Sequence, residues 1–404
     1  MLSLRLARGA HPLVLLRRLL VAVASSGAGF LLLCSLGYAV AHPGATEQSL
    51  VRLLWCAVPL AAVTQFAVTV ARSDPATRPR DGLDAIGFGP VRLSLLAATS
   101  TALSCGLGSV TALLVYLELR GDLGGTPLSG AASGLLDGDA ALPWAATLTL
   151  LGLLPALAAG ACAIALRPRK ERAGGASATA SATTPAPASA KDDRRSYAGL
   201  PWGVATIACG LALEAYVGHA PAPAPDSLLT LPGQDGGTSP GLMGGWLLAS
   251  LGLVLAGPGL THWSGTLLSA GRPGPMRLLA GRILQDTASR LGRPLGVLCA
   301  VAAGTLAAVE LYGAAWERSG PRPFGPLTGL GAAVVMACVT ATAVTAAIDT
   351  RHSRAETTAA LLRLGIPASL LRGAAAVRTG VLVVVLAPLT WVIAELAALP
   401  LTRS

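Results

Sequence analysis

Val381-Leu-Val-Val-Val-Leu-Ala-Pro-Leu-Thr-Trp-Val-Ile-Ala394 decides the fold class. It lies inside an apolar block, 376–397, whose middle holds no ionisable side chain. A hydrocarbon core about 30 Å thick is crossed by about 20 apolar residues wound as a helix. Eight further blocks have that length and character: 19–41, 53–71, 93–116, 142–166, 199–217, 241–261, 294–314 and 326–348. The chain is 53% hydrophobic and 12% charged, against roughly 25% charged for soluble domains. Its mean hydropathy is +0.63. These features predict an all-α polytopic membrane protein with about nine transmembrane helices.

Basic residues orient it. With the N-terminus in the cytoplasm, most of the 30 Lys and Arg fall on inside segments. These are the arginines at 5–18, those at 72–92, the cluster at 167–195, and those at 272–293 and 351–378. The outside keeps only Arg52, Arg120, Arg318, Arg322 and Arg403. That asymmetry obeys the positive-inside rule, and the reverse orientation violates it. The net charge of +10 then follows from topology, with the lipid bilayer as neighbour. No basic face is interleaved with aromatics, so no nucleic-acid surface is expected. Arg17-Arg18 ahead of an apolar run ending Ala39-Val-Ala41 resembles a signal peptide, but the run exceeds the length of an h-region. A retained first span is the reading.

Reactive chemistry is sparse. The only lysines, Lys170 and Lys191, lie outside any G-x-x-x-x-G-K-[ST] phosphate loop, so the chain has no ATPase site of its own by that route. H-E-x-x-H and G-x-S-x-G are missing too, so no catalytic residue is assigned and an enzyme is not expected. The seven cysteines form no C-x-x-C and read as small buried hydrophobes; the five scattered histidines suggest no metal site. Glu118, Glu214, Glu310 and Glu395 fall at or near span ends and read as solvated at the interface. The lack of acidic groups within spans argues against a proton- or ion-coupled carrier.

The chain divides at 167–198, a segment rich in Ala, Gly, Ser, Thr and Pro between charged runs. It reads as a disordered cytoplasmic linker. Residues 1–166 carry four spans, 199–262 an inserted two-span pair, and 263–404 three spans. Basic amphipathic stretches at 4–18 and 277–293 precede spans one and seven, with arginines on one face and leucines on the other. They suit helices lying on the inner membrane surface. Spans one and seven then enter the membrane with the same sense, which describes a parallel internal repeat.

Two loops at equivalent places in that repeat share a pattern. One reads Leu83-Asp-Ala-Ile86-Gly87 and the other Leu361-Leu-Arg-Leu364-Gly365. Aliphatic residues three apart share a helical face, and glycine supplies the positive φ of a C-cap. The expected product is a short cytoplasmic helix with an apolar knob. Its socket is either a groove on a soluble partner or the lipid headgroup layer.

A charged run, Leu-x-x-[Leu/Ile]-Gly, a basic residue and a long span together resemble the signature of FtsX-like ABC transporter permeases. The type is that of MacB and LolC, in the duplicated form of high-GC bacteria, and the resemblance covers most of the chain. It implies a multi-pass subunit in a bacterial cell (plasma) membrane, working in transport or export. Residues 73–92 and 350–373 would be coupling helices docked on a cytosolic ABC ATPase subunit. That subunit binds the ATP, so the chain itself takes no cofactor. The contact residues implied are Leu83, Ile86, Gly87, Phe88 and Arg92, with Leu361, Leu364, Gly365 and Arg372. Pairing of permeases as a homo- or heterodimer is also implied. Two departures stand out: the family's tenth span has no counterpart before Ser404, and Pro75, Pro79 and Gly82 weaken a helix ahead of Leu83. Two other classes remain. One is a non-transporting scaffold or regulator that recruits a cytosolic partner. The other is a secondary transporter, which would show a charge or broken helix at mid-span.

Overall fold

Every backbone N–H and C=O in a long apolar block must find a partner within the block, and a helix provides it. The computed structural model describes residues 12–44, 46–73, 90–122, 130, 132–133, 136, 142–167, 189–219, 229–230, 237–238, 240–270, 274–317, 326–353, 355–365 and 367–403. Its helices are α1 Pro12–Ala41, α2 Thr46–Trp55, α3 Ala57–Ser73, α4 Pro90–Arg120, α5 Trp144–Ala165, α6 Ser189–His219, α7 Pro240–Ser269, α8 Pro275–Glu317, α9 Pro326–Ser353, α10 Ala355–Arg363 and α11 Ala368–Arg403. A two-residue strand pair, Leu229–Thr230 with Gly237–Thr238, lies in the connection between α6 and α7. Among the described residues, nine helical stretches are long and apolar enough to cross a membrane, and they coincide with the nine apolar blocks. Leu103, Leu107, Ile164, Trp202 and Val384 on these spans point away from the protein interior. Such a surface suits a hydrocarbon surround.

The second span is interrupted at Cys56, between α2 and α3. Pro59 cannot donate to the Trp55 carbonyl four residues back, which accounts for the break. The chain sorts into two units. Unit 1 holds Met1–Lys170, Thr230–Gln234 and Phe324–Thr342; unit 2 holds Glu171–Leu229, Asp235–Pro323 and Ala343–Ser404. Helix α9 therefore contributes its N-terminal part to unit 1 and its remainder to unit 2, a division the order of the spans does not suggest.

In unit 1, α1 packs along α4 and α4 along α5, while α3 lies against α1 and α5. Val21, Ala28, Val63, Phe66, Cys105 and Leu154 form the centre of its core, joined by Cys338 of α9. Hydroxyls tie the helices together: Ser25 Oγ donates to the Cys105 carbonyl at 2.9 Å, and Ser109 Oγ to the Leu151 carbonyl at 3.2 Å. Near the end of α4 the side chain of Arg120 is buried and pairs with Asp122 at 3.4 Å.

Unit 2 is built around α7. Its Gly245 and Gly252 face α6, and its Gly257 and Gly265 face α8. A Cβ on Gly252 would stand 2.6 Å from Ile207 of α6, and one on Gly265 would stand 2.9 Å from the Gly281 carbonyl of α8. Gly257 lies against the Gly292 carbonyl, and Gly292 in turn against Pro258. Lipid tails supply no hydrophobic drive between helices, so close backbone approach through small residues is what joins them. Helix α11 completes the unit, packing Leu386, Ile393 and Ala394 onto Leu253, Cys299, Ala300 and Ala303.

Three sequence expectations change. The basic stretch at 277–293 does not lie apart as a surface helix, because α8 runs unbroken from Pro275 to Glu317 through Pro294. Its arginines Arg277, Arg282, Arg290 and Arg293 are exposed, as the face pattern requires. The opposite face, with Ala280, Leu284, Ala288 and Leu291, is buried within the protein. Gly281 lets that face meet α7 closely, so protein takes the place of headgroups. The described part of the 4–18 stretch likewise continues into α1. The expected linker also shortens from its far end: α6 begins at Ser189, and Lys191-Asp-Asp-Arg-Arg195 is helical. Ala, Lys and Arg have strong helix propensity, which outweighs the segment's low complexity there. The rest of the linker, 168–188, is outside the described residues. Finally, Cys209 is exposed on α6, unlike the buried Cys34, Cys105, Cys162, Cys299 and Cys338.

The glycine seam gives a paired test on one helix. Gly292→Ala places a methyl into Pro258, whereas a Cβ on Gly304 meets nothing within 4 Å. In detergent micelles, Gly292→Ala is expected to destabilise by about 3 kcal/mol through overpacking. Gly304→Ala is expected to stabilise by up to about 1 kcal/mol through helix propensity. Equal shifts in thermal unfolding would sink the seam.

Candidate functional site

The second Leu-x-x-Leu-Gly loop lies among the described residues. Helix α9 closes with Arg351 and His352 in its last turn, where cations face the carbonyl end of the dipole. Helix α10 follows as nine residues, Ala355–Arg363. It ends as the pattern predicts. Leu364 N–H donates to the Ala360 carbonyl at 3.1 Å, and Gly365 N–H to the Leu362 carbonyl at 3.1 Å. Gly365 has φ +86°, the left-handed conformation that L side chains resist. A Cβ there would meet nothing within 4 Å, so the backbone angle alone calls for glycine. Pro367 then opens α11, with Leu370 N–H donating to its carbonyl at 3.0 Å.

The surroundings of α10 matter more than its ends. Ala355, Thr358, Ala359, Ala360, Leu362 and Arg363 are all exposed, so no described residue of this helix is buried. Leu364, just beyond it, is 79% exposed. Isolated helices shorter than about 12 residues are marginal in water, and most gain stability by burying a face. Helix α10 has a cap and a terminal dipole match, and its described side chains are exposed. Leu361 lies in the last turn, and nothing further is described of its side chain. Arg372 is exposed in the first turns of α11.

The first loop stands otherwise. Leu83, Ile86, Gly87 and Phe88 lie outside the described residues. Helix α3 stops at Ser73 and α4 starts at Pro90, so Arg92 sits in the first turn of the span helix itself. Proline is favoured at that first position because its missing N–H would have no partner there.

One residue was misread from sequence. Glu214 is 1% exposed, and neither of its carboxylate oxygens has a hydrogen-bond partner. It is not solvated at an interface. Gly245 of α7 makes the room, since a Cβ there would overlap the Glu214 Cγ. The buried indole nitrogen of Trp246, the next residue, also has no partner. A glycine pair, Gly244-Gly245, was visible in the sequence, but its placement opposite Glu214 was not. The other glutamates differ: Glu310 is exposed, and Glu118 and Glu395 are half-buried. Among the described residues no group of His, Cys, Asp and Glu could hold a metal ion.

Gly365→Ala is expected to cost about 1 kcal/mol locally, opening α10 and speeding amide exchange over 355–363 about 5-fold. Gly365→Asn, which tolerates the same conformation, should lose less. Unchanged exchange in the alanine variant would rule out the cap. Searches of family models, curated proteins and solved structures find no match for this chain.

Proposed function

We propose that this chain is an FtsX-like permease subunit of an ABC transporter, with α10 and its Gly365 turn as a coupling helix. In this reading the N-terminus is cytoplasmic, and both Leu-x-x-[Ile/Leu]-Gly loops face a cytosolic ABC ATPase subunit. Hydrolysis of ATP on that subunit moves the spans, and Leu361, Leu364, Gly365 and Arg372 serve as mechanical contacts. Leu83, Ile86, Gly87, Phe88 and Arg92 form the corresponding contact of the first loop. Paired permeases, as a homo- or heterodimer, complete the assembly in a bacterial cell membrane.

The observation that carries this reading is the state of α10. A capped nine-residue helix with no buried described residue, followed by an exposed leucine, has the form of a knob lacking its socket. Two further features support it. The only lysines are Lys170 and Lys191, so a phosphate-loop lysine must come from another chain. In the proposed repeat, α1 and α4 are first and third in one half, and α8 and α11 are first and third in the other. Each of these pairs packs together within its own unit.

Leu364 is so exposed that its replacement should leave the fold within about 0.5 kcal/mol. Affinity purification of the tagged chain from membranes is expected to bring down an ATPase with a phosphate-loop motif. Leu364→Asp removes an apolar anchor and adds a charge, so capture should fall roughly 30-fold, the equivalent of about 2 kcal/mol. Leu364→Asp combined with Ile86→Asp should abolish it. Wild-type protein that captures no ATPase, or a double variant that captures as much as wild type, refutes the reading.

A further inference from the structure

We propose that Glu214 is a proton-binding site of unit 2, a carboxyl held between α6 and α7 that loads and releases a hydron. The inference stands on the α6–α7 geometry alone, whether or not an ATPase docks on α10.

Burial comes first. Glu214 is among the largest fully buried side chains of the protein, at 1% exposure, and both carboxylate oxygens are without a partner. An ionised carboxylate only accepts hydrogen bonds. The helix N–H groups around it are already committed to helix carbonyls. Burying that anion without a donor or counter-ion costs several kcal/mol, and a proton removes the charge.

Among the described residues, no hydrogen-bond donor reaches the Glu214 carboxylate. On α6 itself, the following turn holds Tyr216 and His219, both exposed, with His219 Nδ1 2.7 Å from the Ala215 carbonyl. The Pro240–Leu253 half of α7, which passes Glu214, contains no titratable residue. Helix α8 brings exposed Glu310 to its C-terminal part, and α11 brings half-buried Glu395, with Arg403 at its very end.

A metal cation fits poorly. Hard cations take about six oxygen ligands, and no multidentate group exists among the described residues. A hydron needs a single carboxyl, which is what is present. Close backbone approach also protects the site: Gly245 rests on the Glu214 side chain and lies against the Gly210 carbonyl, closing α6 onto α7.

The test uses the full chain in micelles with dicyclohexylcarbodiimide, a reagent that partitions into apolar surroundings. The carboxyl proton moves to a carbodiimide nitrogen, and the carboxylate oxygen adds to the central carbon. One C=N double bond becomes single, and nothing leaves. The O-acylisourea then rearranges to a stable N-acylurea of the same mass. The expected result is one adduct on the peptide bearing Glu214, absent from Glu214→Gln and retained in Glu310→Gln. Above the titration midpoint its rate should drop about tenfold per pH unit.

Infrared spectroscopy covers the case in which the reagent cannot reach the site or the variant does not fold. Wild-type protein should show the carbonyl stretch of a protonated carboxyl that is missing from Glu214→Gln, and alkali should bleach it in the wild type. Labelling of Glu214 that ignores pH overturns the proposal. So does a spectrum without that band at any pH.

Discussion

Backbone polar groups in a hydrocarbon layer have no water to bond, and this constraint underlies every feature of the protein. It makes each apolar block a helix. It also leaves helices with little means of holding one another except close contact. Unit 2 meets that demand through α7, whose glycines face two neighbours: Gly245 and Gly252 towards α6, Gly257 and Gly265 towards α8. Unit 1 adds bulk and hydroxyls to a close approach of its own, Gly108 of α4 against the Ala22 carbonyl of α1. Phe66 and Tyr116 are fully buried there, and Ser25 and Ser109 bond across to α4 and α5 backbone carbonyls.

The same constraint governs polar side chains. Most serine and threonine hydroxyls donate back to their own helix, as Thr64 does to the Leu60 carbonyl at 2.8 Å and Thr390 to Leu386 at 2.7 Å. A hydroxyl can do this because it carries a proton to give. An ionised glutamate has only acceptors, and the helix interior has no free N–H to offer. Glu214, like the Trp246 indole, is therefore a buried polar group of unit 2 left without a hydrogen-bond partner. Helix α10 presents the reverse situation: its backbone is bonded and capped, and its described side chains are exposed. A single short helix gains most of its stability from neighbours, and every described side chain of α10 is exposed.

Much of this was legible in the residues. Nine blocks of span length with no ionisable residue at their middle give nine candidate crossings, because length and hydropathy are local properties. Leu361 to Gly365 announced both the short helix and the glycine that ends it, since a positive φ is a backbone requirement of one position. The arginine face of 277–293 could also be read directly. What that stretch packs against could not. Periodicity says that the Leu284 face is apolar, yet lipid headgroups and a glycine-lined helix satisfy the same pattern. The split of α9 between two units escaped for a similar reason, as the order of spans says nothing about which ones touch.

Glu214 and Glu310 show where sequence stops and tertiary structure begins. Both sit towards the C-terminal end of a span, in apolar surroundings, and the sequence assigns them one role. The fold separates them: Glu310 is exposed, while Glu214 lies under α7 because Gly245 leaves space for it. The sequence by itself determined the nine candidate spans and the turn at Gly365, all set by interactions within a few residues. Only the tertiary structure decided which carboxylate lost its solvent and which helix kept its described side chains exposed. Burial depends on the distant residues that arrive at a surface, and no local pattern encodes them.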